Sequence, residues 1–166
     1  MTGRPAGYSL GTMTDQTFST GAADADFVRV DTADALTVAR MRRELSQWLH
    51  NHLTLDPDRL NDVLLAVNEA LTNSAEFAYL GAQQGTMTLQ AHYNGADGTL
   101  LVDVSDHGTW RHVDPESQPN TRGRGIPLMR ALSDQTTISQ MPNGTNVQMQ
   151  FNDCDARVSS EIYETA

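Results

Sequence analysis

Between Pro57 and Tyr79 the apolar residues Leu60, Val63, Leu64, Val67, Leu71 and Ala78 recur at helical spacing. The spacing predicts one long amphipathic helix, ended by Gly81. Such a helix must lay its apolar stripe on a second layer. The residues that follow supply one. Thr86 to Tyr93 alternates as a strand, Asn94-Gly95-Ala96-Asp97-Gly98 is a tight turn, and Thr99 to Ser105 returns with Leu100, Val102 and Val104 on one side. Upstream, Phe27 to Val30 reads as a short strand. Thr32 or Asp34 then opens a helix to about His50, with Leu36, Ala39, Met41, Leu45, Trp48 and Leu49 as its stripe. Leu55-Asp56-Pro57-Asp58 is a cap with proline in the first turn of the long helix. Downstream, His107 to Thr121 is a long loop and Gly125 to Leu132 a short helix. Gln135 to Gln140 and Asn146 to Phe151 are strands around Pro142-Asn143-Gly144. The order predicts an α+β two-layer sandwich, a mixed, mostly antiparallel sheet with helices on one face.

Composition divides the chain and narrows its chemistry. Residues 1–24 are rich in Gly, Ser, Thr, Ala and Asp without periodicity and read as a flexible arm. Residues 25–152 form the expected body, and 153–166 an acidic tail; the polar character begins at Asn152. The first 25 residues lack an apolar core of signal-peptide length, so a soluble cytoplasmic protein is expected. There are 11 basic and 21 acidic side chains, giving net −10, and every basic residue is arginine. Without lysine there is no Walker A loop, Schiff-base lysine or strand-borne kinase lysine. An acidic body repels nucleic acid and anionic membrane, so neither is expected as a direct partner. The single cysteine, Cys154, permits neither an internal disulfide nor a cysteine zinc site.

Three short motifs carry chemistry. The first is Glu69-Ala70-Leu71-Thr72-Asn73 on the long helix. Glu69 and Asn73 share one side, opposite the apolar stripe, and Glu76 extends that edge. A carboxylate and an amide one turn apart suit one reacting centre, the first accepting a proton and the second ligating a hard cation. A solvated helix face would carry the same residues. The second is Asp106-His107-Gly108-Thr109-Trp110 at a strand end, where aspartate can accept from an exocyclic amine and glycine lets a flat ring approach. An ordinary turn favours Asp and Gly as well. The third is Arg122-Gly123-Arg124-Gly125-Ile126-Pro127-Leu128-Met129, a glycine-arginine loop opening into a helix. Helix-end N–H groups and guanidinium groups suit an anion, and a basic loop on an acidic surface is the alternative.

Together, in this order, the motifs resemble the ATP-binding domain shared by gyrase, heat-shock chaperones, histidine kinases and mismatch-repair ATPases (the GHKL or Bergerat fold). Within that group the chain is most similar to bacterial anti-sigma-factor serine/threonine kinases. Val67 to Asn73 resembles the N box, Val104 to Trp110 the first glycine box, Arg122 to Leu132 the second, and Gly144-Thr145 the terminal Gly-Thr element. The resemblance implies ATP and Mg²⁺ as cofactors. It makes Glu69 the catalytic base and Asn73 the metal ligand. It makes Asp106 the acceptor for the adenine amine, with Thr145 sharing a water, and Gly108 the residue that gives the purine room. Gly123 and Gly125 would offer N–H groups to phosphate at the turn into Ile126. Arg122 or Arg124 would neutralise the γ-phosphoryl group, and the loop from His107 to Thr121 would be a lid. The implied partners are an anti-sigma factor antagonist, phosphorylated on serine or threonine, and a sigma factor held inactive, with a homodimer also expected. Phe77 stands where this subgroup often has histidine. A module of the same fold that binds nucleotide or partner without catalysis is the alternative.

Overall fold

Five strands make one sheet in the spatial order β1-β3-β4-β6-β5. In the computed structural model, which describes residues 23–77, 85–107 and 125–158, the chain runs β1 (Ala25–Thr32), α1 (Ala35–His52), β2 (Leu53–Thr54), α2 (Pro57–Phe77), β3 (Thr86–Asn94) and β4 (Thr99–Asp106). It continues α3 (Gly125–Leu132), β5 (Gln135–Met141), β6 (Gly144–Phe151) and β7 (Asp155–Ala156). The α+β sandwich expected from the sequence is the fold observed. The sheet is not mixed, however, for every pairing among the described residues is antiparallel.

One face of the sheet is buried. Met87, Leu89, Ala91 and Tyr93 of β3, Leu100, Val102 and Val104 of β4, and Val147, Met149 and Phe151 of β6 meet the helices. Between them stand residues such as Gln90, Asp103 and Gln148, which are not buried. This two-residue alternation is the pattern of a sheet with one wet face. On α2, Val63, Val67 and Leu71 are fully buried, with Ala66 and Ala70 beside them.

On α1 the stripe is shifted. Asp34 caps the helix, its carboxylate accepting from the Thr37 amide at 2.8 Å. That phase turns Thr37, Val38, Met41, Leu45, Trp48 and Leu49 inward. Leu36 and Ala39, expected in the stripe, face outward, and Leu36 is 82% exposed. Nine residues at about 100° each place Leu36 on the side opposite Leu45.

The chain after β6 also departs from the expected polar tail. Cys154 is buried, and Asp155–Ala156 pairs with Leu53–Thr54. The Tyr93 hydroxyl donates to the Cys154 carbonyl at 2.9 Å, and the Arg157 amide donates to His52 at 2.8 Å. A two-residue strand has no periodicity to read, and its partner lies about a hundred positions away, so the pairing is invisible locally. The polar residues here are spent on the fold. Asp134 pairs with Arg59 and accepts from the Asn152 amide at 2.7 Å, and the Arg59 guanidinium lies 5.4 Å from the centre of the Phe151 ring.

This clamp joins the start of α2, the α3–β5 turn and the end of β6. The Asn152 N–H, and then Arg59, hold the Asp134 carboxyl below the ordinary aspartate value of 3.8. Its stabilisation is therefore complete above the unfolded value and disappears as pH falls through the depressed folded one. Asp134→Asn is expected to flatten the acid unfolding limb below about pH 4. The Asp134→Asn variant and the parent chain should then converge in stability at the acid end, measured by urea denaturation at stepped pH.

Candidate nucleotide site

Two consecutive residues of α2 reach the two halves of one site. Asn73 lies on the flank that meets the start of α3, and Ser74, about 100° further round, points to the end of β4. Both directions follow from the apolar register. Val63, Val67 and Ala70 set the inward face, Ser74 stands one turn after Ala70 on that face, and Glu69 and Asn73 fall half-buried at its edge. Glu69 and Asn73 share a side as expected, but it borders the buried face and is not opposite it, because Ala66, Ala70 and Ser74 extend that face toward them. Glu76 is exposed and opens toward the groove between α1 and α2, beside Thr72 and Asn68.

The α3 half is built by close approach. A side-chain carbon added at Gly125 would sit 3.0 Å from Asn73 Nδ2 and 3.3 Å from Glu69 Oε2. Glycine therefore lets the first residue of α3 lie directly against the carboxylate and the amide. The N-terminal N–H groups of a helix have no intrahelical partner and favour negative charge. In this place they stand beside a proton acceptor and a hard oxygen ligand. Ile126 packs its side chain on the core, so any contribution it makes to a ligand comes from its backbone.

The strand half is built around Asp106. Asp106 and Thr145 are cross-strand partners on β4 and β6, and both are 6% exposed. Asp106 Oδ1 accepts from the Thr145 amide at 3.3 Å, and Oδ2 accepts from the Ser74 hydroxyl at 3.1 Å. The Thr145 hydroxyl oxygen is buried and meets no hydrogen-bond partner among the described residues. A buried hydroxyl in that state is matched by a water or a ligand atom. Gly144 allows the approach, because an added Cβ would fall 2.2 Å from the Asp106 carbonyl oxygen.

Of the residues expected at the site, the structure brings Glu69 and Asn73 against Gly125, and Asp106 against Thr145, and the neighbouring residues Asn73 and Ser74 of α2 link the two groups. Gly108, Arg122, Gly123 and Arg124, with most of the expected lid, lie outside the described residues. Ser74 was missed. The available signal was a polar residue in an apolar register position, which must find a buried partner. Among the described residues no group of three or more His, Cys, Asp or Glu side chains could hold a metal. The groups that suit a purine nucleotide and its cation are instead an amide oxygen, helix-end N–H groups, a strand-end carboxylate that accepts, and the Thr145 hydroxyl, unmatched among the described residues. This set fits the group.

The family model described as the histidine kinase-like ATPase domain matches residues 32–151. An anti-sigma F factor of Clostridium botulinum (strain Eklund 17B / Type B) is 29% identical over 107 residues, 57% of this chain and 73% of that protein. The serine-protein kinase RsbW of Listeria innocua is 33% identical over 76 residues, 44% of this chain and 47% of that protein. A crystal structure of the RsbU and RsbW domains of a Mycobacterium tuberculosis protein is similar with TM-score 0.61 at 20% identity. The match covers 81% of this chain and 33% of that one, so this chain spans about a third of the solved chain, and the likeness is one of fold.

Proposed function

This chain belongs to the histidine kinase-like ATPase domain family, and from that membership we propose that it is an ATP-dependent serine/threonine protein kinase that also acts as an anti-sigma factor. Its protein substrate in this reading is an anti-sigma factor antagonist, and its other partner is a sigma factor held inactive. The observation that carries the proposal is the meeting of Glu69 and Asn73 with the start of α3, one residue away from the Ser74–Asp106–Thr145 cluster. The names of the similar anti-sigma F factor and RsbW kinase support the same reading.

Each residue has a task. Asp106 accepts from the exocyclic amine of adenine, and Thr145 supplies its unmatched hydroxyl to the same edge, directly or through water. Asn73 offers its side-chain oxygen to Mg²⁺, which neutralises phosphate charge when bound. Gly125 and Ile126 present N–H groups to the phosphates at the helix end. Arg122 and Arg124, with Gly123 between them and Gly108 beside the purine, complete the set by family resemblance. Glu69 accepts the proton of the attacking serine or threonine hydroxyl. Phosphorus exchanges its bond to the bridging oxygen for one to that hydroxyl oxygen, yielding ADP and the phosphorylated side chain. Such transfer needs positioning and charge neutralisation, which a lysine-free site can supply.

The net charge of −10 also suits a basic sigma-factor segment, with association that weakens as salt rises. A homodimer in the cytoplasm is part of the reading. Calorimetry of the full chain with ATP, with and without Mg²⁺, tests the site. Asp106→Asn is expected to weaken ATP binding about ten- to a hundredfold, the range of one charge-assisted hydrogen bond. Indifference of ATP affinity to both Mg²⁺ and Asp106→Asn would overturn the proposal.

A further inference from the structure

Ser74 takes no part in the chemistry above, yet it is 6% exposed and spends its hydroxyl on Asp106. We infer that Ser74 is a positioning residue that sets purine selectivity by holding the Asp106 carboxylate in one orientation. The inference rests on the reading of Asp106 as the purine acceptor.

Three strictly local facts support it. The carboxylate is gripped at both oxygens from different elements: Oδ2 by Ser74 of α2 at 3.1 Å, and Oδ1 by the Thr145 N–H of β6 at 3.3 Å. Two donors on two oxygens fix the plane of the group, where one would leave it free to turn. The contact is buried, so water does not readily replace the Ser74 hydroxyl if it is removed. Finally, a hydroxyl that donates to Oδ2 leaves the carboxylate presenting its remaining lone pairs as acceptors in a fixed direction.

That last point reaches the ligand. A 6-amino purine presents a donor at the edge where a 6-oxo purine presents an acceptor. An ionised, oriented carboxylate accepts from the first and repels the second. A carboxylate that has lost its Ser74 donor can turn away from the 6-amino edge. Ser74 is thus expected to act on discrimination between purines more than on the stability of the fold.

The test titrates the full chain with ATP and with GTP, using Ser74→Ala, Ser74→Cys, Asp106→Asn and the Ser74→Ala/Asp106→Asn double variant. Thermal unfolding is recorded for each. Ser74→Ala is expected to weaken ATP about tenfold, the scale of one buried hydrogen bond, and to leave GTP unchanged, so that the ATP:GTP ratio falls about tenfold. Ser74→Cys, of similar volume and weaker donor strength, should lie between. In the Asp106→Asn background Ser74→Ala should add nothing. A wild-type ratio in both Ser74 variants would overturn the inference while leaving the ATP site standing. So would an equal loss of both nucleotides together with a lowered melting temperature, or full additivity in the double variant. If the parent chain itself fails to discriminate ATP from GTP, the reading of Asp106 fails, and this inference fails with it.

Discussion

Glu69→Gln is expected to slow phosphoryl transfer by about a hundredfold to ten-thousandfold, the usual range for a positioned base, while leaving ATP affinity within about twofold. The amide keeps the size and shape of the side chain, and Gly125 already packs against it. Asn73, Asp106 and Thr145, which are assigned the metal and the purine, are untouched. The change therefore removes proton acceptance and little else, and the loss should appear in kcat rather than in ATP binding. Labelled-phosphate transfer to an anti-sigma factor antagonist, with calorimetry on the same samples, measures both. Transfer at the parent rate by Glu69→Gln would remove Glu69 from the chemistry. Absence of transfer by the parent chain, with tight ATP binding retained, would favour a catalytically silent regulator of the same fold.

The second large effect is on the frame that holds the site. Gly144→Ala would place a carbon 2.2 Å from the Asp106 carbonyl oxygen and 3.2 Å from His107 Cα. Both obstacles are main chain, so no side chain can swing aside. The end of β6 must move off β4 at the Asp106–Thr145 pair, where the Thr145 N–H holds the Asp106 carboxylate. Overpacking of this kind usually destabilises by about 1–3 kcal/mol, and an overlap with backbone belongs at the upper end or beyond it. Urea denaturation should show a lowered midpoint with an unchanged slope. ATP affinity should fall beyond what partial unfolding explains, because the displaced strand carries Thr145, whose N–H holds the Asp106 carboxylate in the proposed purine site. A folded variant of parent stability and parent ATP affinity would refute the account of Gly144.

The two variants also separate what local sequence encodes from what packing adds. Periodicity alone marked the long helix and the central strands, because each buries one face and a buried face must repeat with its element. The same periodicity erred on α1. Leu36 and Ala39 are as apolar as their neighbours, and the Asp34 cap turned them outward. It was silent on β2 and β7, where two-residue strands meet across the chain. Glu69, Asn73, Asp106, Gly125 and Thr145 were legible as candidate positions, since the residue types and their order constrain one another.

Ser74 could not be assigned that way. A serine after asparagine on a helix has no ligand written into it, and only the fold places it 3.1 Å from Asp106. The same holds for the demand that residue 144 be glycine, which arises from a carbonyl 38 positions earlier in the chain. Which faces are apolar and which residues carry charge is a property of neighbours along the chain. Which donor meets which acceptor depends on closing long loops and stacking layers, and those contacts exist only once helices and sheet have come together.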